Sequence, residues 1–74
     1  MLKESNYPSI IEALLFASDT PLSLNKLKAV LDELPDDRIK ELIEELNRRY
    51  QENNQSFAIR EIAGGYQMYT RPEF

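Results

Sequence analysis

The chain contains no cysteine and no histidine among its 74 residues. The first absence excludes a disulfide framework, a thiolate nucleophile and a zinc knuckle. The second removes the commonest general base and the commonest transition-metal ligand. Glycine occurs only twice, side by side at Gly64-Gly65, with no GxGxxG or Walker spacing around it, so a phosphate loop is not read there. No apolar run approaches the ~18 residues of a membrane span, and the start Met1-Leu2-Lys3-Glu4-Ser5 lacks the hydrophobic stretch of a signal peptide. Positive charge is scarce: nine Lys and Arg stand against thirteen Asp and Glu, a net of −4, which gives the molecule no global attraction to phosphate. These absences predict a cytoplasmic binding module, not an enzyme, with no catalytic, metal or cofactor site and no membrane contact.

What is present is 42% hydrophobic, enough for a globular chain, and the length allows one domain at most. At this size the gain from burying apolar surface and the cost of ordering the chain nearly cancel. The monomer is therefore expected to be marginal, and a partner surface would help it.

Residues 1–7 carry no periodic pattern and are expected to form a flexible start, with the domain running over 8–74. A first helix begins at Pro8, which suits a first turn, or at Ser9, which forms a capping box with Glu12. It runs through Ile10, Ile11, Leu14, Leu15 and Ala17 and breaks at Ser18-Asp19-Thr20-Pro21. Ser23 caps a second helix whose apolar positions are Leu24, Leu27, Val30, Leu31 and Leu34. Pro35-Asp36-Asp37 opens a third, with its two carboxylates placed where a helix N-terminus favours negative charge. Ile39, Leu42, Ile43, Leu46 and Tyr50 form its amphipathic stripe, and Glu44–Arg48 and Glu45–Arg49 are i,i+4 pairs in the favourable order. Leu42 and Leu46 should lie at the centre of the core.

The last twenty residues change period. Residues 57–62 and 66–70 read as two strands joined through Ala63-Gly64-Gly65, a hairpin with a tight primed turn. A two-residue loop at the glycines sets Ala63 opposite Tyr66, Glu61 opposite Met68 and Ile59 opposite Thr70. One face is then Phe57, Ile59, Ala63, Tyr66 and Met68, with Glu61 intruding; the other shows Arg60, Ile62, Tyr69 and Arg71. The fold class is α+β: three helices followed by a two-stranded hairpin, the order of a small winged helix domain.

Winged helices serve both DNA binding and protein contact, and the third helix separates the two by charge. From Asp36 to Glu52 it carries four positive and six negative side chains, whereas a helix entering the major groove should be net basic. Protein contact is the expected role, with a winged helix DNA-binding transcription regulator as the alternative. Seven of the eight residues from Ile10 to Ala17 are apolar, and Phe16 projects near Glu12, away from the main stripe. Phe16 therefore either meets the hairpin within the domain or joins an interface. With Ile62 and Tyr69 from the second hairpin face, it makes the expected dimer or partner contact.

Three segments carry a specific resemblance: residues 10–18 (IIEALLFAS), 21–24 (PLSL) and 61–74 (EIAGGYQMYTRPEF). Together they resemble the N-terminal domain of the bacterial segregation and condensation protein B family, over about residue 10 to the end. The last segment is the most specific. The resemblance implies the first of two tandem winged helix domains. It also implies a non-enzymatic accessory subunit of the bacterial condensin, active in chromosome condensation and partition. Members of the family form homodimers through this domain and bind the kleisin subunit, segregation and condensation protein A. The kleisin in turn bridges the structural-maintenance-of-chromosomes ATPase, which would associate the protein with the nucleoid.

Overall fold

A computed structural model describes residues 4–72; Met1, Leu2 and Lys3 of the expected flexible start, and Glu73 and Phe74 of the resembling C-terminal segment, lie outside the described residues. A short 3-10 turn at Glu4–Asn6 leads into α1, Tyr7–Ala17. Strand β1 is Leu22–Ser23, α2 is Leu24–Val30 and α3 is Asp36–Glu52. Strands β2, Phe57–Ile62, and β3, Gly65–Thr70, complete an antiparallel sheet of order β1-β3-β2.

The helical half follows its sequence pattern closely. All five stripe residues of α3 are buried, Leu42 and Leu46 included, and they meet Ile11 and Leu15 of α1 with Leu27 and Leu31 from α2 and its end. Ser23 caps α2 as expected, its Oγ accepting the Lys26 N–H at 3.2 Å. Of the two expected pairs on α3, Glu45–Arg49 closes at 3.4 Å, while Glu44–Arg48 forms no ion pair among the described residues. Asp36, in the first turn of α3, pairs with Lys28 at 3.2 Å and so ties α2 to α3.

Helix boundaries differ where the pattern has no say. Tyr7, assigned from sequence to the flexible start, is helical and 5% exposed, with its hydroxyl donating to Asp32 Oδ2 at 2.9 Å. That bond, with desolvation, holds the phenol above its ordinary pKa. The helix thus starts ahead of both expected positions: Pro8 lies in the first turn, and Ser9 is inside the helix and caps nothing. At the other end, α2 stops at Val30 instead of carrying Leu34. Asp32 adopts φ 55° and the Glu33 N–H reaches back to Lys28 O at 2.9 Å, which is the six-to-one bond of a Schellman termination. Helix α3 ends the same way, with Asn54 at φ 53° and the Gln55 N–H on Tyr50 O at 2.8 Å.

The sheet corrects two expectations. It has three strands, because Leu22 and Ser23 pair with Tyr66 and Gly65. The turn is Ala63-Gly64, both at positive φ (48° and 78°) as a type I′ turn requires, and not Gly64-Gly65. Glu61 therefore faces Tyr66, Ile59 faces Met68 and Phe57 faces Thr70. Gly65 belongs to the strand for a steric reason: a Cβ there would lie 2.8 Å from the Leu22 carbonyl oxygen. The slip from the expected register is two residues along the partner strand. It changes every cross-strand pair, but it leaves the faces in place because side chains alternate with period two.

Candidate partner-binding surface

Aromatic side chains reach the surface where the end of α1, the end of α3 and the start of β2 converge. The rings of Tyr50 and Phe57 meet edge to face, with centroids 4.8 Å apart, and Phe16 also meets Phe57, at 5.0 Å. Tyr50 is buried, and its hydroxyl donates to Glu12 Oε1 at 2.6 Å. Desolvation and that carboxylate together push the Tyr50 phenol well above its ordinary pKa. Phe16 ends the series and stays 54% exposed, more than any other large hydrophobic side chain among the described residues.

Strand β2 is the edge of the sheet facing α3, and one side chain closes it. Asn47 Nδ2 donates to Ile59 O and Asn47 Oδ1 accepts the Ile59 N–H, both at 2.8 Å. The carboxamide thus occupies the place of a neighbouring strand at that residue, satisfying backbone groups that an edge leaves open. Asn47 can reach because it lies one turn beyond Ile43 on the stripe that faces the sheet. A polar residue on an otherwise apolar stripe is the signal in the sequence; the reading by hydrophobic spacing passed over it.

An open groove lies on each side of this clasp. The first, about 250 Å³, is lined by Tyr50, Gln51, Phe57, Ala58, Tyr69 and Arg71 beside Asn47 and Ile59. The second, about 270 Å³, is lined by Lys40, Ile43, Glu44, Glu61 and Tyr66 beside the same two residues. Arg71, in the lining of the first groove, donates from Nη1 to Gln55 O at 2.9 Å, and Arg60 stands 4.9 Å over the Tyr69 ring.

The three residues expected to form one contact do not share a patch. Phe16 packs on Phe57 at the helix-facing side of the sheet. Ile62 and Tyr69 lie on the opposite face, pairing with Gly65 beside the turn and with Ala58 near the other end of the hairpin. Both are half-buried. Phe16 meets the hairpin through Phe57, the first of its two readings, and still exposes about half its surface. No helix of the described residues is long and apolar enough to cross a membrane.

Three helices with a β1-β3-β2 sheet, α3 laid against the edge of the wing and an aromatic series open at one end, define a winged helix domain. Residues 9–74 match the family model described as "Segregation and condensation complex subunit ScpB". The chain belongs to that family. It is 44% identical over 69 residues to segregation and condensation protein B of Moorella thermoacetica, covering 93% of this chain and 35% of that protein. Among solved structures it resembles a conserved hypothetical protein from Chlorobium tepidum, with a TM-score of 0.87 at 35% identity, covering 95% of this chain and 44% of the other. It also resembles a dimer of ScpB N-terminal domain complexed with ScpA peptide, with a TM-score of 0.81 at 34% identity, covering 93% and 85% of the two chains. The chain spans about a third of the length of the segregation and condensation proteins it matches.

Proposed function

We propose that this domain is a protein-contact module of the bacterial condensin. It acts as an accessory subunit with no catalytic role, pairs with a second copy of itself and binds the kleisin subunit, segregation and condensation protein A. Through the kleisin it joins the structural-maintenance-of-chromosomes ATPase in chromosome condensation and partition during cell division, in the cytoplasm at the nucleoid. The observation that carries the reading is Phe16. An aromatic ring 54% exposed, seated on a second ring and on a helix apolar nearly throughout, is the kind of anchor a two-fold contact buries on both chains. The relative solved as a dimer with a ScpA peptide supports both partners. The surplus of carboxylates on α3 weighs against a winged helix transcription regulator.

Sedimentation at several concentrations tests the pairing. The parent chain should dimerise, and Phe16→Asp should shift it toward monomer. A strict 8.7 kDa monomer into the high micromolar range rejects the dimer. A dimer indifferent to Phe16→Asp but broken by Tyr69→Asp moves the contact to the outer face of the hairpin. Sequence-dependent binding of duplex DNA at physiological salt would favour the regulator instead.

A further inference from the structure

The groove on the turn side of the Asn47 clasp carries more negative than positive charge. Glu61 and Tyr66 are cross-strand partners, and Glu44 follows the buried Ile43 on α3. All three line this groove of about 270 Å³, with Lys40 as the one cation in its lining. Neither carboxylate, nor Lys40, forms an ion pair among the described residues. Tyr66 is only 7% exposed, yet among the described residues its hydroxyl has no hydrogen-bond partner. No side-chain polar atom of the described residues is both sealed from solvent and unpartnered, so this hydroxyl opens into the groove that Tyr66 lines. Desolvation, and then the charges of Glu61, Asp36 and Glu44, hold the phenol above its ordinary pKa, which marks a negative potential at its oxygen. A polar group so far removed from water is normally hydrogen-bonded. The partner suited to an oxygen beside two unpaired carboxylates is a positively charged donor.

We infer that the groove between the middle of α3 and the turn end of the hairpin receives a lysine or arginine side chain of the partner, its cationic head beside Glu44 and Glu61 and donating to the Tyr66 hydroxyl oxygen. An ammonium has three N–H donors and a guanidinium five, enough for the three acceptors of the lining. The methylene stem of such a side chain packs along apolar surface while its head stays polar, and Ile43 and Ile59 supply that surface here. Asn47 adds nothing to the recognition, since both polar atoms of its side chain are held by Ile59. A metal ion is the poorer occupant: the described residues contain no group of three or more acidic side chains that could hold one, whereas hard cations take six or more oxygen ligands. The proposal rests on the reading of the domain as a kleisin-binding module and names the chemistry the kleisin must present.

The test is titration of the whole domain with the kleisin subunit, comparing the parent chain with Glu44→Lys, Glu61→Lys, Lys40→Glu and Glu52→Lys. The first two should weaken binding roughly tenfold or more, and Lys40→Glu, in the same groove, should tighten it. Glu52 ends α3, about 12 Å along the helix from Glu44 and past the screening length at physiological salt, so Glu52→Lys should bind as the parent does. Tyr66→Phe keeps the ring and removes the hydroxyl. It should weaken binding several-fold without lowering the melting temperature, because the hydroxyl has no partner to lose in the domain alone. Substituting glutamate for the basic residue of the kleisin should restore binding to Glu61→Lys. Equal weakening by Glu44→Lys and Glu52→Lys would reduce the effect to net charge and overturn the proposal. Magnesium alone, shifting the amide signals of Glu61 and Tyr66 to saturation, would make the groove a metal site and overturn it as well. Binding indifferent to Glu44→Lys and Glu61→Lys would overturn it while leaving the kleisin-binding reading intact. A parent domain that binds no kleisin at all overturns both.

Discussion

The helical half and the hairpin half of this domain are held by different kinds of interaction. Ile11, Leu15, Leu27, Leu31 and Ile39 are almost fully removed from solvent and come from helices and helix ends alone. The two long strands contribute only Ile59 and Tyr66 to the buried hydrophobic set. Their position depends instead on discrete contacts: the Asn47 clasp, the Phe57 ring between two others, and Gly65 close against Leu22. Burial by volume tolerates exchange among similar apolar side chains. Discrete contacts tolerate little, because each depends on one atom at one place.

That contrast can be tested by substitution, beginning with the largest effect. Leu46→Ala empties a site in the helical core and should cost about 2–5 kcal/mol. For a domain with little surplus stability this should appear as loss of the folded baseline in a thermal melt, and a melt within a degree or two of the parent would contradict the core assignment. Asn47→Ala leaves the Ile59 N–H and carbonyl without the carboxamide and should cost about 1–3 kcal/mol. Its signature should be local: amide exchange at Ile59 should accelerate far more than at Leu42. Uniform acceleration would mean that the two halves unfold as one and that the distinction drawn above is false.

The smallest effect is one of pH. The Tyr50 phenol ionises above its ordinary pKa of 10.0 in the folded chain because burial and Glu12 oppose its charge. The unfolded chain therefore releases this proton first, so stability is fully present below about pH 10 and falls as pH rises beyond it. Tyr7 and Tyr66 shift in the same direction and add to the slope. Tyr50→Phe should flatten the alkaline limb of a stability–pH curve without removing it, and an unchanged limb would rule out Tyr50 as a contributor.

The same division decides what could be read in advance. The α3 stripe is a 3.6-residue repeat over about three turns, so its five buried residues follow from spacing alone. Ser23 is legible because a cap acts within its own turn. Strand β1 is two residues long and shows no alternation. Its existence depends on a partner far along the chain. The turn at Ala63-Gly64 was misplaced because Gly65 resembles a turn residue, whereas its missing side chain answers the Leu22 backbone. Tyr7 was missed because its burial depends on Asp32, held at a left-handed helix end. At the candidate surface, the exposed Phe16 was legible from an apolar helix with one residue off the stripe. Its separation from Ile62 and Tyr69 was not, since it follows from which sheet face meets α1.

The pairing of β1 with β3 has a kinetic consequence. Leu22 and Tyr66 are adjacent across the sheet, yet α2, α3 and β2 all lie between them in the chain. Closing so long a loop costs entropy that its few bonds do not offset until the intervening elements are in place. This seam should therefore form after the rate-limiting step of folding. Gly65→Ala, whose new methyl presses on the Leu22 carbonyl, should then speed unfolding several-fold and leave refolding nearly unchanged in stopped-flow mixing. A seam of this kind is also the first to part under tension, so a pull on the two ends of the domain would release the wing before the helices.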